Sequence, residues 1–212
     1  MTNFISIFPL EVVVYPGETL NLHIFEARYK ELINESYKEK KYFGIPAVIN
    51  NKVSEMGTLA EIIEMVKVYD DGRMDIVTRG VSIFRILEII KTIPDKLYSG
   101  AIVNHPPNNI TANKKMMQPV IASVKELHKL LKVDKKFNKP DSEIVSYDVA
   151  HHAGLMVEEE YELLELLRED QRLEYLKRHL QKVILLIASV ENMKKKIKLN
   201  GHFRELKGFD FL

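Results

Sequence analysis

At Lys114 the apolar periodicity of this chain changes, and that change limits the possible folds more than any other feature. Upstream, apolar residues tend to recur at every second position, the repeat of a half-buried strand. Downstream they recur every three to four, the repeat of a helix that packs on one face. A chain that keeps strands and helices in separate halves builds an α+β architecture rather than an alternating one. The expected division is residues 1–110, mainly strand, and 111–212, helical, joined by the polar link His105-Pro106-Pro107-Asn108-Asn109.

Within the first half, Val12, Val13 and Val14 form a β-branched run that Pro16-Gly17 ends. Proline suits the second position of a type II turn and glycine the third, where φ is positive. Leu20, Leu22 and Ile24 alternate as a strand, and Phe25, Tyr29, Leu32 or Ile33, and Tyr37 then fall at helical spacing, predicting a helix from Phe25 toward Lys38. Phe43 to Ile49 is a short buried strand. Thr58 to Tyr69, the turn Asp70-Asp71-Gly72, and Arg73 to Thr78 make a hairpin. Arg79-Gly80 reads as a break, with Val81 to Ile90 resuming as a further strand. Five or six strands at this spacing with one short helix suggest a closed or nearly closed small barrel.

In the second half, Met117, Val120 or Ile121, Val124, Leu127 or His128, and Leu131 mark one helix. Asp141-Ser142-Glu143 reads as the start of another, through Ala150 to His152, with Gly154 as its stop. Glu158 to Leu167 is a short helix with acidic residues in its first turn, as the helix dipole favours. Gln171 to Leu199 is long, with Leu173, Leu176, Leu180, Val183, Ile187 and Val190 on one side. That run is short for a coiled coil and reads as the core helix of a bundle. Beyond it, Phe203, Phe209 and Phe211 either pack back on the barrel, the favoured reading, or offer an apolar segment to a partner.

The net charge of +1 gives no general attraction to polyanions, and no apolar run is long enough to cross a bilayer. Met1-Thr2-Asn3-Phe4 lacks the basic and apolar regions of a signal peptide. With zero cysteines, disulfides, thiolate metal sites and cysteine nucleophiles are all excluded. A cytoplasmic location is expected.

Three separated blocks carry a resemblance. The first is Phe8-Pro9-Leu10, Tyr15-Pro16-Gly17 and Leu22-His23-Ile24-Phe25-Glu26-Ala27-Arg28-Tyr29. The second is Phe43-Gly44-Ile45 followed by Gly57-Thr58-Leu59-Ala60-Glu61-Ile62. The third is Asp71-Gly72-Arg73-Met74 with Thr78-Arg79-Gly80 and Phe84-Arg85-Ile86. Together, in order and spacing, they resemble the Lon protease N-terminal (substrate-binding) domain family, above all its standalone bacterial members. A weaker likeness extends through Ala150-His151-His152-Ala153-Gly154-Leu155 to about residue 190. One departure is Ala27, where many relatives carry proline; alanine suits an early helix position equally. The resemblance implies a PUA-like β-barrel followed by a helical bundle with a long C-terminal helix. It also implies non-catalytic recognition of unfolded or client polypeptide, feeding a separate protease or chaperone.

On that basis Tyr15, Pro16, Phe25, Glu26, Arg28, Tyr29, Arg79 and Arg85 are the candidate peptide-binding residues. Binding an extended segment needs exposed apolar surface or a free sheet edge. Two structural readings compete: Phe25 and Tyr29 anchor the helix to the barrel, and Glu26 pairs with an arginine in the interior. No catalytic residue, metal ligand or cofactor is assigned. None of the nine glycines precedes a lysine, so the Walker A pattern is absent, and no room follows the match for a peptidase module. His151 and His152 are adjacent and diverge on a helix, which suits no metal. No G-x-S-x-G elbow supports a hydrolase. Lys132, Lys135, Lys136 and Lys139, and Lys194, Lys195, Lys196 and Lys198, leave RNA as the rival partner. A homodimer is allowed.

Overall fold

The computed structural model describes residues 2–206 apart from 112, 136 and 138, with side chains as far as 197. The strand half contains β1 (Thr2–Ser6), β2 (Thr19–Ile24), α1 (Ala27–Glu39), β3 (Phe43–Ile49), β4 (Lys52–Val68), β5 (Met74–Ile90) and β6 (Gly100–Asn104). The helical half contains α2 (Lys114–Leu131), α3 (Ser146–Ala150), α4 (Val157–Glu165) and α5 (Glu169–Leu206). The α+β separation expected from the change of period is what the chain adopts.

The strands form one antiparallel sheet in the order β1-β6-β5-β4-β3, with β2 on β5. The ladder does not close on itself. Instead the segment after β1 reaches β3 through parallel bridges at Ile7–Gly44 and Leu10–Ala47, with Phe8 N donating to Gly44 O at 2.8 Å. A nearly closed barrel results. β4 and β5 are 17 residues each, too long to lie wholly against it. Their halves nearest the Asp70-Asp71-Gly72 turn run on as an arm, and β2 pairs with that part of β5, from Thr19–Arg79 to Ile24–Met74. Gly72 supplies the positive φ of 78° that the turn needs.

Four local expectations change. Val12–Val14 is not a strand: Thr58 Oγ1 donates to Val14 O, and the Glu18 carboxylate accepts from Tyr15 N at 2.8 Å. Side chains thereby satisfy groups that a ladder would have used. β4 begins at Lys52 rather than Thr58, because Asn50 and Asn51 take left-handed conformations and turn β3 straight into it. Gly80 does not break β5. It sits inside the strand, pairing with the turn through Gly17 N to Gly80 O and Gly80 N to Glu18 O, both 2.8 Å. A Cβ there would lie 2.3 Å from Tyr15 O, so only glycine admits this approach. Finally, 141–143 is a turn, and helix α3 starts at Ser146, where the Asp148 carboxylate accepts from Val145 N at 3.0 Å.

The helical core is built from Met117, Val120, Val124 and Leu127 of α2, Leu163 and Leu164 of α4, and Leu173, Leu176 and Leu180 of α5. Val13, Tyr15, Ala47, Met56 and Ile83 from the strand half belong to the same cluster. Sequence patterning gave no sign of Arg172, which is fully buried. Its guanidinium donates to Ser146 Oγ (2.8 Å), Glu169 (2.8 Å), Asn108 Oδ1 (3.0 Å) and the carbonyls of Leu166 and Asn109 (2.6 Å each). Every face of the cation is satisfied, as burial of a charge demands. The polar link is thus fixed to α5. Lys136, Phe209 and Phe211 lie outside the described residues, as do the side chains of Lys198 and Phe203, and with them the expectation that the aromatic tail packs on the barrel.

Candidate functional site

The arm is where exposed apolar side chains and unpaired backbone coincide. The ladder between β3 and β4 ends at Phe43–Ala60, so beyond that point β4 pairs with β5 alone. Among the described residues, its other edge and the outer edge of β2 carry no ladder partner. Bulges fall between Ile62 and Glu64 and between Met65 and Lys67, leaving Ile63 and Val66 as the extra residues. A bulge bends the strand and re-aims its side chain. Ile63, Val66 and Val68 are all largely exposed. Ile62 and Met65, one residue before each bulge, instead pack inward with Met74 and Ile76 on α1.

At the tip, the end of β2 and the start of α1 meet the hairpin turn. Phe25 is 61% exposed and stacks near His23, with ring centroids 6.2 Å apart. His23 Nδ1 lies 2.6 Å from Asp75, which also accepts from Tyr69 OH at 2.7 Å. These two bonds, His23 first, hold the Asp75 carboxyl below its usual range. The Lys67 ammonium lies 4.4 Å from the Tyr69 ring centre. An aromatic surface edged by cations and carboxylates is adaptable toward extended chains.

The eight sequence candidates do not form one site. Phe25, Glu26 and Arg28 come together at the tip, where Arg28 and Glu26 form an exposed pair at 2.8 Å rather than an interior one. Tyr29 is buried against Phe8, centroids 4.1 Å apart, and anchors α1. Arg79 lies midway along the arm, paired across strands with Glu61 at 2.6 Å. Arg85 is farther down β5, its Nε 3.4 Å from Met56 Sδ. Tyr15 has no exposed surface. It stacks on Tyr147 (5.0 Å) and donates to Glu160 O at 2.9 Å, and burial, then Glu160 and Glu18, raise its pKa. Its side chain therefore offers nothing to a peptide. Ile63, Val66, Val68, His23 and Tyr69 were missed. The doubled apolar pairs Ile62-Ile63 and Met65-Val66, which break period two, are the signal that would have found the bulges.

Pro16 lines a different feature, a cavity of about 450 Å³ where the Pro16-Gly17 turn meets α3. His151 bridges that junction: Nδ1 donates to Glu160 at 2.6 Å and Nε2 to Glu18 at 3.2 Å. Burial would lower its pKa, but the two carboxylates outweigh that and push it up to about 10. Burial lowers that of neighbouring His152, and His128 adds to this. The adjacent histidines thus take opposite shifts, one as a cationic clamp. Among the described residues no three His, Asp or Glu side chains converge as metal ligands, and no helix is long and apolar enough to cross a membrane.

A family model described as the ATP-dependent protease La (LON) substrate-binding domain matches residues 5–182. Two solved structures share the fold. A Lon N-terminal domain protein from Xanthomonas campestris aligns with a TM-score of 0.60 and 22% identity, covering 82% of this chain and 96% of that one. The N-terminal domain of the Mycobacterium avium complex Lon protease aligns with a TM-score of 0.61 and 16% identity, covering 84% and 98%. No curated protein sequence matches.

Proposed function

Because the chain belongs to the ATP-dependent protease La (LON) substrate-binding domain family, we propose that it binds unfolded or client polypeptide without catalysing a reaction on it, using the β2–β5–β4 arm. The observation that carries this reading is the edge of β4 beyond Ala60, unpaired beside exposed Ile63 and Val66. An extended segment adding to that edge gains backbone hydrogen bonds that ignore its sequence, while Ile63, Val66 and Phe25 reward apolar side chains. That combination selects unfolded chains over folded ones, whose backbone groups are already paired. The bulges keep the edge from pairing freely with other sheets, as edges in monomeric proteins require. The bound chain is then passed to a separate protease or chaperone in the cytoplasm.

The test is binding of a labelled, permanently unfolded model protein, with total RNA as competitor. Ile63→Asp with Val66→Asp should weaken binding at least about tenfold, a loss of about 1.4 kcal/mol. The melting temperature should fall only slightly, since about half of each residue is already in water. Competition by RNA alone, or full binding by the double variant, would overturn the assignment.

A further inference from the structure

Helix α5 carries two apolar faces, and the bundle uses one. Leu173, Leu176 and Leu180 are buried, with Ile184 and Ile187 packed against the same core. A second row, Leu186, Val190, Met193 and Ile197, follows at spacings of four, three and four, which keeps it on another side of the helix. Leu186, Met193 and Ile197 are 62%, 59% and 70% exposed. The row continues the face on which Tyr175, His179 and Lys182 line an open groove with Met116 and Leu166. An apolar stripe of this length on exposed helix marks an interaction surface.

Charge decides what fits it. Between 182 and 197 the chain has Lys182, Lys194, Lys195 and Lys196 against one carboxylate, Glu191. Lys194 already engages Glu191 at 3.1 Å, and among the described residues Lys182, Lys195 and Lys196 have no carboxylate partner. The groove carboxylates Glu159, Asp170 and Glu174 are already held by His179, Arg168 and Arg178. Paired stripe on stripe over 182–197, a second copy of this chain would bring the same cations alongside and only Glu191 to answer them, in either orientation. Like-charge juxtaposition of that kind opposes self-pairing. We propose that this face docks an acidic amphipathic helix of a partner polypeptide, with apolar residues at three-to-four spacing and Asp or Glu along its flanks. Its apolar row covers Leu186, Val190, Met193 and Ile197, and its carboxylates meet Lys182 and Lys196, among the described residues the unpaired lysines on that side of the helix. This surface stands apart from the arm, and its test is independent of the arm's function.

Fluorescence anisotropy of the full chain provides that test. One labelled peptide has leucines at three-to-four spacing and glutamates elsewhere; its control carries lysines in place of the glutamates. The acidic peptide should bind at least about tenfold tighter and lose affinity as salt rises. Leu186→Glu with Met193→Glu should abolish binding, whereas Ile63→Asp with Val66→Asp should leave it unchanged. Lys182→Glu with Lys196→Glu probes the same face by charge alone, and circular dichroism checks that helix content is kept. Equal binding of both peptides, or full binding by the α5 variants, would overturn the proposal. So would a concentration-dependent dimer abolished by Leu186→Glu, since the face would then belong to a second copy. Binding to phosphatidylglycerol vesicles in preference to the acidic peptide would count against it equally.

Discussion

Two residues hold charges where the fold can least spare them, and they differ in what their loss should do. Arg172 is enclosed, and removing it leaves the buried Glu169 carboxylate with Ser146 N and Oγ as donors but no counter-ion. It also takes a donor from the Ser146 hydroxyl and from the carbonyls of Leu166 and Asn109. Breaking a buried pair from one side costs about 3–5 kcal/mol, so Arg172→Met should lose stability on that scale in urea denaturation. Arg172→Lys should recover little of it, because an ammonium cannot reach five acceptors in a plane. A loss below about 1 kcal/mol would show that the network contributes nothing net. His151 is more open, with 36% of its side chain in solvent, so screening reduces what its two ion pairs contribute. Its sign is still determined. The folded pKa of about 10 stands above the unfolded value of 6.5. Its contribution is therefore complete below pH 6.5 and disappears as pH rises through about 10. The gap in melting temperature between the wild type and His151→Gln should be widest near pH 6 and close by pH 10.5. A gap that widens with pH would refute the clamp.

Elements show where sequence pattern informs and where it fails. The strand Phe43–Ile49 has the bounds that its apolar run predicts, and the Asp70-Asp71-Gly72 turn falls between β4 and β5 as its turn chemistry requires. Both are local matters of propensity and φ. The errors arise where a distant group takes over the backbone. Val12–Val14 has strand composition, yet Thr58 and Glu18 side chains satisfy it, and nothing nearby in sequence announces them. Gly80 reads as a break because glycine usually interrupts strands; here the approach of Tyr15 O, 65 residues upstream in chain order and only 2.3 Å from where a Cβ would stand, demands it. Of the aromatics that flank β2, Phe25 is exposed as a binding residue would need to be, whereas Tyr15 faces the bundle. One-dimensional spacing cannot separate two aromatics when the second layer that buries one of them comes from residues after 140. Gly80→Ala should cost about 1–3 kcal/mol, because the clash is with backbone and both the turn and β5 must shift. Equilibrium denaturation measures it, and an unchanged midpoint would mean that the turn moves freely.

For the whole molecule, the question is whether residues 1–110 and 111–212 are separate folding units, as the change of period at Lys114 suggests. The packing argues that they are one. Val13, Tyr15, Ala47, Met56 and Ile83 are all but inaccessible, and they share a core with the helices rather than with the other strands. Excising the helical half would return that apolar area to water at about 25 cal/mol per Å². It would also strip partners from Tyr15 OH, which donates to Glu160 O, and from Met56 N, which donates to Tyr161 OH at 3.0 Å. Asn108 and Asn109 would lose the guanidinium that fixes the link. What remains for 1–110 is the smaller pair of clusters around Phe43 and Phe84. Such a fragment is too poorly covered to offset the conformational entropy of its long arm. The full chain should therefore unfold in one transition, with far-UV circular dichroism, dominated by the helices, coinciding with tyrosine fluorescence, which samples both halves. Residues 1–110 expressed alone should fail to give a cooperative monomer. A soluble fragment with a sharp transition of its own, or helical signal lost well before the tyrosine signal, would establish two units instead. The distinction bears on function: with one unit, a ligand on the arm and a ligand on α5 stabilise the same folded state, so each should raise the melting temperature of the entire chain.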